Sequence, residues 1–133
     1  AWPLYRDQPW PEPARRYAAM VTMLDRQIGE IMALLKQLGL DERTLVMFSG
    51  DNGTAAGYPT PVRGRMVNGW KATMFEGGSR VPFIASWPAV MKQGRVNRDL
   101  ISSTDFLPTI CAAAGVPVPA NVEMRPVARS SRP

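Results

Sequence analysis

Over residues 12–38 apolar side chains return every third or fourth position: Tyr17, Met20, Val21, Leu24, Ile28, Ile31, Leu35 and Leu38. That spacing lays one apolar stripe along a helix. Pro13 suits the first turn, where a missing amide hydrogen does no harm. Gly39 suits the end, where a positive φ costs little only for glycine. Such a helix is about 37 Å long at 1.5 Å per residue. Arg15, Arg16, Arg26, Glu30 and Lys36 fall on its other face and read as solvent-facing. After the linker "GLDERT" comes the run "LVMFS", residues 45–49, apolar at four of five positions without strict alternation. This suits a strand covered on both faces, the habit of parallel sheets. Residues 50–69 read as a long loop rich in glycine and proline, and loops of that length are usually functional. A second strand is predicted over residues 81–87, "VPFIASW", after the turn "EGG", with Pro82 at its start. A short strand or turn follows near residues 96–100. A last helix is capped by Ser103 or Thr104, runs through "DFLPTICAAAG" and stops at Gly115. Helix, strand, loop, strand, helix is an α/β order. The fold expected is α/β, with a mixed or mostly parallel sheet flanked by helices.

The first strand stops on Asp51-Asn52-Gly53. Two readings stand. Asp and Asn before Gly are common turn residues, because they tolerate positive φ. A carboxylate beside an amide carbonyl is also a pair of oxygen donors suited to a hard cation. In α/β folds ligands gather outside the carboxyl ends of strands, which is where Asp51 and Asn52 fall. A second feature is "NGWKATMFEGGSRVPF", residues 68–83. Lys71 is either a solvated surface lysine or a compact point charge for an oxyanion. Glu76 and Arg80 read as a structural pair holding the turn.

The chain of 133 residues is one domain at most, and 45% hydrophobic residues suit a globular protein. Sixteen basic against eleven acidic residues give +5. Part of that surplus sits in the tail, where Arg125, Arg129 and Arg132 oppose Glu123 alone. No basic stripe interleaved with aromatics appears, so no nucleic-acid partner is expected. No apolar run approaches the roughly 20 residues of a membrane span. The opening "AWPLYRDQPWPEP" carries no apolar signal-peptide core, which leaves the compartment open. The single cysteine, Cys111, excludes an internal disulfide. Beyond Gly115 the chain turns polar, basic and proline-bearing, and disorder is expected over residues 122–133.

Taken in order, "LDRQIG", "TLVMFSGDNG", "KATMFEGGSRVPFIASWP" and "STDFLPTICAAAGVPVP" resemble the sulfatase family, the arylsulfatase-type sulfuric ester hydrolases. There a helix of this kind precedes a strand ending in D-N-G. A K-G-T-x-x-E-G-G-x-R-x-P block, then W-P, then a D-x-x-P-T helix ending in A-G follow. The likeness spans about residues 14–119 and identifies residues 1–121 as the C-terminal portion of such a catalytic domain. It implies an alkaline-phosphatase-like α/β fold and a calcium ion held in part by Asp51 and Asn52. It also implies that Lys71 contacts the sulfate oxygens of a small sulfate ester or a sulfated glycan. The family's nucleophile is a formylglycine, made from a cysteine or serine in a C-x-P-x-R type motif.

This chain departs from that pattern in several places. It has no histidine, no early aspartate pair and no modification motif. "CAAAG" at Cys111 ends in Gly115 rather than arginine, and it follows the D-N-G block instead of preceding it. Cys111 therefore reads as a core cysteine. Ala72 stands where the family block has glycine. The isolated chain is expected to be inactive. Two rivals remain: a phosphodiesterase or phosphonate hydrolase of the same superfamily, and a non-catalytic remnant that at most binds metal or a partner. The two-metal enzymes tend to carry D-H-G, so Asn52 favours the sulfatase pattern.

Overall fold

The structure, a computed structural model, describes residues 1–55, 61–62 and 64–122. These fall into two units, Ala1–Gln93 and the segment from Gly94 onward, each described here by itself.

In the first unit, helix α1 covers Glu12–Gln37, as the apolar periodicity predicts. Pro13 lies in its first turn. At the far end Gly39 adopts φ 66°, the left-handed conformation that glycine reaches without a Cβ penalty. Two bonds close that end: Leu40 N–H to Leu35 O at 2.9 Å and Gly39 N–H to Lys36 O at 3.1 Å. This is the 6→1 and 5→2 pair of a Schellman stop.

The apolar stripe of α1 is only partly covered. Ile28 and Leu35 are half-buried, whereas Met20, Val21, Leu24 and Ile31 are exposed. Over the first turns the covered face is instead that of Arg15, Ala18 and Thr22. The aromatic residues before the helix explain this. The Tyr5 hydroxyl is hydrogen-bonded to Thr22 Oγ1 at 2.7 Å, and the guanidinium carbons of Arg15 and Arg16 lie 6.0 and 5.9 Å from the Trp2 ring centre. A guanidinium over an indole face is attracted by the ring quadrupole. Arg15, expected in solvent, is thus half-buried and donates to Arg6 O.

Strand β1 is Val46–Ser49. The loop after it contains a short hairpin of β2, Pro61–Val62, and β3, Arg65–Met66, which the glycine and proline content did not announce. A single helical turn, α2, spans Glu76–Ser79, and strand β4 spans Phe83–Ser86. Strands β1 and β4 pair antiparallel, with Val46 opposite Ser86 and Ser49 opposite Phe83. The mostly parallel sheet expected from the apolar runs is therefore not what the described strands form; both of their ladders are antiparallel. The reason is visible beyond the strands. The return segment stays zipped to β1 through Gly50 N–H to Pro82 O at 3.2 Å. Trp87, just past β4, donates its indole N–H to Glu42 O at 2.9 Å, tying the post-helix turn to the sheet.

In the second unit, residues 96–100 form no strand; the Asp99 amide donates to Asn97 Oδ1 at 3.0 Å in a local turn. The helix cap is Ser102, one residue before the expected positions. Asp105 completes a capping box by accepting from the Ser102 amide at 2.7 Å. Helix α3, Phe106–Ala114, stops at Gly115 with φ 68°. Cys111 is buried on α3, as its apolar surroundings predict, and is the only buried apolar residue among the described residues. The tail expected to be disordered falls, from residue 123 on, outside the described residues. No helix among them is long and apolar enough to cross a membrane.

Candidate functional site

Antiparallel pairing brings the carboxyl end of β1 beside the segment that leads into β4. Asp51 and Asn52 are a two-residue excursion between two anchored points. On one side the Gly50 amide donates to Pro82 O. On the other the Gly53 amide donates to Gly78 O at 2.9 Å. Asp51 is exposed and Asn52 half-buried. The loop is held by backbone bonds, which leaves both side chains available as oxygen donors.

Gly53, Gly77 and Gly78 are needed for this approach. A Cβ on Gly53 would fall 1.8 Å from Gly77 O, and one on Gly77 would fall 2.2 Å from Gly69 O. A Cβ on Gly78 would fall 2.1 Å from Thr73 O. These contacts are all to backbone, so no side chain can give way. The tight turn expected at Glu76-Gly77-Gly78 is α2, and Arg80 pairs with Glu76 across it as expected.

Lys71 belongs to a third segment of the same cluster. Its amide donates to Thr54 O at 2.7 Å, three residues after Asp51. Lys71 is the second residue of a β-turn closed by Thr73 N–H to Trp70 O at 2.9 Å. Ala72, the third residue, has φ 69°, the conformation a type II turn demands there and glycine usually supplies. The Lys71 side chain is exposed and makes no ion pair with a described residue. The fold thus joins the Asp51-Asn52 loop and the Lys71 turn through main-chain bonds. Gly78, which accepts from Gly53, was read from the sequence only as part of the turn before the second strand, and Thr54, which accepts from Lys71, was not singled out at all. Both act through carbonyl oxygens, and a carbonyl has no residue-type signature.

The donor chemistry fits a hard cation: one carboxylate and one amide oxygen. The number does not complete a site. Calcium takes 6 to 8 oxygens, and the described residues contain no group of three or more Asp, Glu, His or Cys able to hold a metal ion. Cys111, buried on α3, offers no exposed nucleophile.

Comparison with known proteins gives one consistent result. The Sulfatase family model matches residues 5–116. Arylsulfatase A of Homo sapiens is 41% identical over 104 residues, which is 72% of this chain and 19% of that protein. N-acetylgalactosamine-6-sulfatase of Canis lupus familiaris is 38% identical over 124 residues, 90% of this chain and 24% of that protein. An uncharacterized sulfatase, YdeN, of Escherichia coli (strain K12) is 31% identical over 111 residues, 84% of this chain and 20% of that protein. The chain spans about a fifth to a quarter of the length of these relatives.

Proposed function

The chain belongs to the sulfatase family, and from that premise we propose that it is the portion of a sulfate-ester hydrolase that supplies Asp51, Asn52 and Lys71 to the sulfate end of the substrate. The reaction is R–O–SO3⁻ plus water to R–OH plus sulfate. A sulfate ester repels an incoming nucleophile, so positive groups must neutralise charge as it develops on the oxygens. The Lys71 ammonium is a compact cation with three donors and suits that role. Asp51 and Asn52 would hold part of the coordination shell of a calcium ion, whose charge polarises sulfate oxygens when bound. The remaining oxygens, and the formylglycine that supplies the nucleophile in this family, would come from outside these 133 residues. The isolated chain is accordingly inactive.

The observation that carries this reading is the main-chain junction of the two loops: Gly53 on Gly78 and Lys71 on Thr54. Residues separated by the long loop of β2 and β3 share one anchored cluster, which is what a site holding a small anion against a cation needs. Substrates are small sulfate esters or sulfated glycans. The names of the relatives, arylsulfatase and N-acetylgalactosamine-6-sulfatase, cover both kinds.

The test uses an aryl sulfate. The 133-residue chain alone should show no turnover above background. A full-length sulfatase in which residues 5–116 replace the matching segment should turn the ester over, and should lose calcium dependence or activity on Asp51→Ala. Turnover by the isolated chain, or an active folded chimera indifferent to Asp51→Ala, contradicts the proposal.

A further inference from the structure

The turn that carries Lys71 is closed twice. Besides the Thr73 N–H to Trp70 O bond, the Thr73 hydroxyl donates to Trp70 O at 2.7 Å and accepts from the Trp70 amide at 3.0 Å. One hydroxyl has one hydrogen and two lone pairs, so it can do both at once. Between these bonded ends sit Lys71 and Ala72. Ala72 holds φ 69° without being glycine. In that region the Cβ of an L-residue crowds the following carbonyl oxygen. A glycine would enter the turn unaided. An alanine needs the surroundings to hold it there.

Those surroundings are specific. Gly78 lies against the turn so closely that a Cβ there would meet Thr73 O at 2.1 Å and Trp70 O at 2.7 Å. Gly69, φ 84°, packs beneath Thr73 Oγ1, where a Cβ would come within 2.6 Å. The Lys71 amide is then delivered to Thr54 O. The lysine side chain is long, flexible and exposed. What the protein can fix is the place from which it starts, and the turn fixes that.

We propose that Thr73 is a positioning residue for Lys71, its hydroxyl clamping the Trp70–Thr73 turn in the left-handed form that Ala72 on its own resists. The inference rests on the reading of Lys71 as an oxyanion contact, and it concerns the turn rather than the ammonium. It predicts a coupling. The hydroxyl should matter with alanine at position 72 and matter much less once that strain is removed by Ala72→Gly.

Amide hydrogen exchange of the 133-residue chain, read residue by residue by NMR, tests this. Thr73→Val keeps the shape and removes the hydroxyl. It should speed exchange of the Lys71 amide tenfold or more, with the β1–β4 ladder amides unchanged. Thr73→Ser should restore protection. Thr73→Val combined with Ala72→Gly should leave Lys71 within about threefold of the parent, and it decides the matter if the single variant fails to fold. Lys71 exchange unchanged in Thr73→Val overturns the proposal. So does equal loss in the double variant, or ladder and turn quickening together without rescue by serine. Exchange reads the turn whatever Lys71 does in chemistry. A failed oxyanion role would appear in the kinetics of Lys71→Ala and leave these rates as they are.

Discussion

The amide of Gly53 donates to the carbonyl of Gly78 at 2.9 Å, and this bond closes the Asp51-Asn52 loop onto the segment leading into β4. It exists because neither residue has a side chain. A Cβ at position 53 would fall 1.8 Å from the Gly77 carbonyl oxygen, a distance only a backbone shift can relieve. Gly53→Ala should therefore open the loop. Overpacking of this kind costs about 1–3 kcal/mol. The expected result is a lower denaturation midpoint and a Gly53 amide that exchanges freely. An unchanged midpoint with Gly53 still protected would show that the loop can adapt.

Ala72 offers the opposite case. It sits at φ 69° in a turn position that favours glycine. Ala72→Gly removes the Cβ strain but adds freedom to the unfolded chain, and the two effects oppose each other. Strain is the larger, so the variant should gain about 1 kcal/mol in chemical denaturation. A loss of stability would mean the turn bears no strain.

Calcium affinity follows from the donor count. Asp51 and Asn52 give at most three side-chain oxygens against the 6 to 8 that calcium takes, and the described residues hold no cluster of three or more acidic, histidine or cysteine ligands. Titration calorimetry on the 133-residue chain should show binding no tighter than about millimolar, the range of the weakest protein sites. Micromolar binding would require a fuller ligand set within this chain.

The start of α1 carries a pH dependence of defined sign. The hydrogen bond from Arg16, reinforced by its charge, holds the Glu12 carboxyl below its ordinary value. A depressed carboxylate stabilises the fold above its unfolded value, about 4.3, and that contribution fades as pH falls through the folded value. The pair is exposed, so the effect is small. Helicity followed by circular dichroism should decline slightly on acidification below pH about 4, and Glu12→Gln should flatten that part of the curve. An unaltered curve in Glu12→Gln would remove the pair from the account.

Helix α1 and both of its ends were legible in the sequence, because periodicity, Pro13 and Gly39 each constrain the backbone locally. The cap at Ser102 was missed by one residue, since all four side chains of "SSTD" are of types that can cap. Strand direction was not legible. The apolar runs around Met47 and Ile84 specify a strand but not its partner's orientation, and the zipper that sets it runs through Gly50, Pro82, Gly53 and Gly78. Which face of α1 is covered was also hidden, because Trp2 and Tyr5 reach it from outside the helix. Asp51, Asn52 and Lys71 stood out by chemistry and by resemblance. Thr54 and Thr73 did not, because they act through a carbonyl and a turn. Ala72 was visible as a departure from the family's glycine, but its left-handed backbone needed coordinates.

The central claim is that Lys71 serves a sulfate ester. Its most direct test is turnover of an aryl sulfate by a full-length sulfatase carrying this segment, with and without Lys71→Ala. A preorganised donor aimed at developing oxyanion charge is worth about 3 kcal/mol, or on the order of a hundredfold or more in rate. The account predicts a loss of about that size in kcat with the fold intact, and incomplete rescue by Lys71→Arg, whose planar fork replaces a point charge. A Lys71→Ala enzyme that stays within about twofold of its parent, the behaviour of an ordinary surface substitution, would contradict it.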